Sequence, residues 1–285
     1  MKKTDNLTSK KVLVTGATGF VGRHLIPLLL REKYSVTVTT RDKKKAASFP
    51  WHKNVECIQL DLNDETSALQ IDNFSSVIHL AWEGLPKYES EFHIKKNLPN
   101  NYNFLHQIIR RGVNHILISG SCSEYGMQSG QIKSSAPCYP ITRYAFAKNA
   151  LHNQLRELQQ HYNFRLQWAR LFYMFGQGQN KNSIIPQLDK AIDRGKEIFN
   201  MSEGNQLRDY LPVEEVAEQL LYLFEKKLDG AFNICSGQPI SVKKLVENHI
   251  SKRKSSIKIN LGYYPYLDHE PMEFWGKKDI SFLEK

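Results

Sequence analysis

The chain has 285 residues, 41% hydrophobic and 11% aromatic, enough to bury a sizeable core, which excludes a disordered chain or a peptide-sized module. Lys and Arg number 39 against 29 Asp and Glu, and the formal charge of +10 favours anionic partners such as nucleotides, phosphorylated metabolites, nucleic acid or an acidic membrane surface. Four scattered cysteines without a CxxC, and ten histidines without a paired-ligand pattern, exclude a disulfide scaffold and offer no metal site.

The start, MKKTDNLTSKK, is polar and basic with no apolar h-region behind it. The apolar run at 25–30 contains Pro27 and is too short to span a bilayer, so a cytoplasmic protein with no membrane partner is expected. Residues 11–15 (KVLVT) form a short β-rich run, followed by a glycine turn and a helical pattern over 20–33. Further strand-like segments follow at 35–40, 55–61, 76–81 and 115–120, with a long helical stretch at 91–111. A helix over 143–162 precedes the strand-like 164–171. Apolar strands alternating with helices predict a parallel sheet covered on both faces, an α/β doubly wound fold. Beyond residue 176 come a polar loop, helices at 184–194, 213–226 and 241–252, and a strand at 231–235. The division expected is 1–175 for dinucleotide binding and 176–285 for a smaller substrate lobe, the boundary approximate and the chain free to cross it.

Between the first strand and first helix, Gly16, Gly19 and Gly22 stand as GxxGxxG. Gly16 permits the tight turn, Gly19 lets the backbone approach a pyrophosphate, and Gly22 lets the helix pack closely on the strand. The intervening Thr18, Phe20 and Val21 place backbone amides at the helix start, where phosphate charge is held. The second strand runs into Arg41 and Lys43, Lys44 and Lys45 rather than ending in an acid. A guanidinium there suits a ribose 2′-phosphate, which makes NADP(H) the expected cofactor and NAD the less suited one. Asp61 and Leu62, after the third strand, are placed at the adenine.

Tyr144 and Lys148 lie one helical turn apart on one face, and Ser121 follows the strand at 115–120. A phenol titrates near ~10 in water, so it serves as an acid–base at neutral pH only if its anion is stabilised. The Lys148 ammonium and an oxidised nicotinamide can supply that stabilisation, while Ser121 orients the substrate oxygen. Together with GATGFVG, this set resembles the extended short-chain dehydrogenase/reductase family of nucleotide-sugar epimerases, dehydratases and reductases. His79-Leu80-Ala81 is similar to the family's fourth-strand signature, placing Leu80 and Ala81 at the cofactor. The segment 119–126 is similar to its serine/threonine segment, in which the hydroxyl four places before Tyr-Gly selects Ser121. Arg208-Asp209-Tyr210 is similar to the substrate-lobe signature, whose arginine grips the nucleotide diphosphate. The resemblance implies a Rossmann-like fold, a nucleotide-sugar substrate that also touches Ser123 and Tyr173, and a homodimer.

The departures from the family pattern bear on the reaction. Family dehydratases carry an Asp-Glu pair directly after the hydroxyl residue, where this chain has Cys122 and Ser123, so dehydration is not expected. Tyr173 stands where many relatives have asparagine, and the chain ends soon after Phe274-Trp275-Gly276. With the basic cofactor end, these features point to NADPH-dependent reduction of a nucleotide-activated 4-keto-6-deoxyhexose, such as one yielding dTDP-fucose or a CDP-dideoxyhexose. Hydride would pass to the keto carbon and Tyr144 would protonate the developing alkoxide. Two rivals are a 4-epimerase with tightly bound NAD and a cofactor-binding regulatory protein without turnover. His79 is read as structural, and Tyr263, Tyr264 and Tyr266 as packing. The spread of basic residues, with no recognition module, argues against nucleic acid.

Overall fold

The computed structural model describes residues 10–64, 66–266 and 270–279; the expected polar start at 1–9 lies outside them. The first half runs β1 (Lys11–Thr15), α1 (Gly22–Arg31), β2 (Ser35–Thr40), α2 (Lys43–Ala47), β3 (Glu56–Gln59), β4 (Ser76–His79), α3 (Leu98–Arg110) and β5 (His115–Ser121). It continues with β6 (Gly130–Ile132), α4 (Arg143–Leu158), β7 (Arg165–Leu171) and β8 (Tyr173–Phe175). The remainder is α5 (Ile184–Asp193), β9 (Ile198–Asn200), β10 (Leu207–Arg208), β11 (Tyr210–Pro212) and α6 (Val213–Lys226). Last come β12 (Gly230–Ile234), β13 (Ile240–Ser241), α7 (Val242–Lys252), β14 (Lys258–Asn260) and β15 (Glu273–Gly276).

Seven strands make one parallel sheet in the order β12-β7-β5-β4-β1-β2-β3. The middle strands are buried on both faces, which is why they read as near-continuous apolar runs. On one face α1 and α6 pack through Leu25, Ile26 and Leu29 with Val216, Leu220 and Phe224. On the other, α3 and α4 pack through Phe104, Leu105 and Ile108 with Leu151 and Leu155. The sheet is therefore doubly wound, as expected, and strand order reverses between β1 and β4. A crevice opens outside the carboxyl ends of the strands at such a reversal.

The chain beyond residue 176 returns to the large sheet: β12 pairs with β7, and α6 covers α1. The smaller lobe keeps its own core of Leu188, Phe199, Met201, Val246 and Ile257. The helical stretch expected over 91–111 is not uniform, since a π turn (His93–Asn97) precedes α3. Pro99 cannot donate to the carbonyl four residues back, so the regular ladder cannot run through this point. Among the described residues no helix is long and apolar enough to cross a membrane.

Candidate active site

The glycine turn sits at the carboxyl end of β1, against β4. A Cβ on Gly16, whose φ is +71°, would lie 2.7 Å from the Ala81 amide nitrogen and from the Leu80 carbonyl carbon. A Cβ on Gly22 would meet the Gly16 carbonyl oxygen at 2.4 Å, so both positions exclude any larger residue. Thr18, Phe20 and Val21 form the turn itself, half-buried, with Gly19 exposed at its tip. No side chain caps the start of α1; the Arg23 and His24 amides turn back to the Gly19 and Val21 carbonyls, at 3.3 and 3.1 Å, and the amides ahead of them in the turn remain for a phosphate. Leu80 and Ala81 are tied to β1 through the Thr15 carbonyl and hydroxyl, at 3.2 and 3.3 Å. The residues present therefore fit a dinucleotide pyrophosphate.

At the adenosine end, Asp61 accepts from the Asn63 backbone and side-chain amides at 3.0 and 2.9 Å, and Leu62 is half-buried beside it. Arg41 is paired with Glu83, the second residue after Ala81. The guanidinium is largely exposed, so this surface pair holds Arg41 beside the cleft without withdrawing its charge. Lys43, Lys44 and Lys45 are exposed, and two of their amides are capped by Asp42. Glu83 escaped the sequence reading because its partner is 42 positions away in the chain.

Ser121, Tyr144 and Lys148 come together at the carboxyl end of β5. Tyr144 is 8% exposed and Lys148 1%. The Ser121 hydroxyl faces the Tyr144 phenol and works against the rise in its pKa. It also lies 2.7 Å from the Ser123 hydroxyl and accepts from the Ser123 amide at 3.2 Å. Burial pushes the Tyr144 phenol well above its ordinary range, opposed by Ser121 and reinforced by Glu124, so the ligand-free phenol carries its proton. Burial brings the Lys148 ammonium down to about 7, with Glu124 opposing. Lys148 donates to the Ser119 carbonyl at 2.8 Å.

Glu124 is a wholly buried carboxylate beneath this group. It accepts from the Ser121 amide at 2.7 Å, from the Trp168 indole at 3.0 Å and from Arg170 Nε at 2.8 Å. Ser121 and Glu124 form a capping box at the turn after β5, which fixes the Ser121 backbone. The Ser-x-x-Glu spacing was a usable signal for this box.

Aromatic rings close the site on the α3 side. The Tyr144 ring packs edge-on against Trp82 at 6.0 Å and His93 at 5.4 Å, and tilted against Tyr88 at 5.5 Å. On the substrate side Tyr173 faces Tyr210 at 5.5 Å, with the Arg208 guanidinium 5.6 Å from its ring centre. Arg208 is 2% exposed and donates to the Leu207 and Met272 carbonyls. It also pairs with Glu270 at 3.2 Å, a contact made across the fold that nothing in the local sequence announces. Burial raises the Cys122 thiol to about 12, with Glu124 adding to the rise, so it is an unreactive neutral group at the cleft wall.

The profile of the NAD dependent epimerase/dehydratase family matches residues 12–235. The chain is 28% identical over 271 residues to the dTDP-6-deoxy-L-talose 4-dehydrogenase (NAD(+)) of Aggregatibacter actinomycetemcomitans, covering 94% of this chain and 99% of that protein. Its fold is similar to a UDP-N-acetylglucosamine 4-epimerase from Methanobrevibacter ruminantium M1 solved with UDP-N-acetylmuramic acid (TM-score 0.81, 23% identity, 95% of this chain and 90% of that one). It is also similar to a UDP-glucuronic acid 4-epimerase from Bacillus cereus solved with UDP-glucuronic acid and NAD (TM-score 0.80, 20% identity, 94% and 90%). With the matched profile spanning the glycine turn, the serine segment and the Tyr-x-x-x-Lys helix, the chain belongs to the NAD dependent epimerase/dehydratase family.

Proposed function

We propose that the protein is a nicotinamide-dependent 4-oxidoreductase of a dTDP-activated 6-deoxyhexose, acting as a 4-ketoreductase. The observation that carries this reading is the meeting of half-buried Ser121 with buried Tyr144 and Lys148 at the carboxyl end of β5. A relative named as a dTDP-6-deoxy-L-talose 4-dehydrogenase, alignable over nearly the full length of both chains, supports the substrate class. Dehydrogenation and ketoreduction are one reaction in two directions, so the same residues serve both.

When bound, the nicotinamide supplies the hydride that reduces the C4 keto group. Ser121 donates to the substrate oxygen and aligns it with Tyr144. Tyr144, protonated when the site is empty, gives its proton to that oxygen as negative charge develops. The charged Lys148 lowers the cost of the phenolate left behind. Ser123 and Tyr173 line the hexose side, and Arg208 meets the diphosphate by exchanging its Glu270 partner for a phosphate oxygen. Cys122 and Ser123 cannot carry the two protons of water elimination, which sets dehydration aside.

NAD(H) is the cofactor this reading takes, in place of the NADP(H) expected from Arg41. The curated relative is named for NAD(+). The test is purified protein with a dTDP-4-keto-6-deoxyhexose and either NADH or NADPH. One dinucleotide oxidised per product formed, faster with NADH, and NMR of the 4-hydroxy product are expected. Interconversion of nucleotide-sugar epimers with no net change in dinucleotide absorbance would instead make the protein a 4-epimerase.

A further inference from the structure

Lys148 is buried, yet among the described residues no carboxylate touches it. Its ammonium lies 2.8 Å from the Ser119 carbonyl and 4.1 Å from the ring centre of Trp82, over its face. The charged and titratable groups around it are Glu124 after β5, His79 on β4, His93 in the π turn and Tyr144 on its own helix. Of these only Glu124 is anionic, and Arg170 already takes one of its oxygens.

The indole is itself held. Trp82 Nε1 donates to His93 Nδ1 at 3.1 Å, and His93 Nε2 lies 2.9 Å from the Lys87 carbonyl. Since Nδ1 accepts, Nε2 carries the proton and His93 is neutral. Asn97 also reaches His93 Nδ1, at 3.1 Å, and donates to the Glu83 carbonyl at 2.9 Å. The π turn thus presents His93 and Asn97 to the same loop, the one that carries Trp82.

We propose that Trp82 is the positioning residue for Lys148: its face seats the ammonium and keeps water from behind it, and His93 and Asn97 lock the indole in that pose. An aromatic face stabilises a cation through the ring quadrupole, most strongly where both are desolvated. The ring face thus favours the charged form where no described carboxylate touches the ammonium. A leucine at the same place would fill space but withdraw that attraction.

The inference rests on Lys148 serving the site as proposed above, so its test uses the ligand-free protein. Lysine labelled with 13C at Cε is titrated by NMR, with the Lys148 signal assigned from Lys148→Arg. Trp82→Phe, which keeps an aromatic face, is expected to titrate within a few tenths of a pH unit of the parent. Trp82→Leu is expected to titrate lower by roughly one pH unit, a tenfold change in the ionisation constant. His93→Phe, which frees the indole, moves part of the way. Where turnover is observed, the basic limb of the kcat profile follows the same order, a response that loss of packing alone does not produce. A lysine titrating at the parental pH or higher in Trp82→Leu overturns the proposal; if that variant fails to fold, the same result in His93→Phe does so. A parent protein inert towards every dTDP-sugar would sink the reaction assignment and leave the titration to decide on Trp82.

Discussion

Burying a lysine costs stability, and in Lys148 that cost is set against function. Burial lowers its pKa from 10.5 in the unfolded chain to about 7 in the folded one. Between those values the unfolded state binds more protons, so this group makes stability rise with pH from 7 to 10.5. Lys148→Met removes the penalty. Urea unfolding should show the variant more stable by a few kcal/mol at about pH 7, with the gain fading towards about pH 10 as the parental lysine loses its charge anyway. Hydride-transfer activity should fall by about 10²–10⁴ in the same variant. A variant no more stable than the parent would mean that the ammonium is not desolvated as described. Tyr144, Lys148 and the three glycines were legible because their chemistry depends on spacing within one turn. Trp82, His93, Glu83 and Glu270 were not, since each acquires its role from a partner in another element.

The turn after β5 is the element on which the site depends most. Its backbone is fixed by Glu124, which in turn depends on Arg170 from β7 and the Trp168 indole. A buried pair of this kind is weak evidence for net stability, but breaking it strands a charge. Glu124→Gln should destabilise by about 3–5 kcal/mol, because Arg170 is left buried without its counter-ion. The double variant Glu124→Gln with Arg170→Met should lose less than the sum of the two single losses. Chemical denaturation of all four proteins gives that coupling, and simple additivity would show that the pair acts only as packing. Elements of this length and pattern decided what could be read in advance. The buried strands and long amphipathic helices announced themselves by period. Strands of two or three residues, such as β8, β10 and β13, contain no alternation to detect, whereas Pro99 marked the break before α3 that the apolar period over 91–111 ran across.

At the scale of the whole molecule, the doubly wound sheet was legible from the alternation of strands and helices, whereas the return of β12 to its edge was not. That return depends on pairing with β7 and on α6 covering α1, contacts between segments far apart in the chain. The same long-range packing buries several imidazoles in neutral form. Burial brings His79 to about 4, His115 to about 4 and His152 to about 3, with Arg170 and Arg156 adding to the depression at His152. In the unfolded chain each titrates near 6.5, so each contributes stability that is complete above that pH and is lost as pH falls towards the folded value. Acid unfolding should therefore begin well above the carboxylate range. His152 offers the clearest test: it stacks on Trp168 at 4.7 Å and stands outside the hydrogen-bond network of His79 and His115. His152→Leu should reduce the stability lost between about pH 7 and pH 5 by about 2 kcal/mol, read from urea midpoints at the two pH values. An unchanged loss would mean that the imidazole is protonated in the folded state, and that its place between Trp168 and the two arginines is wetter than the packing shows.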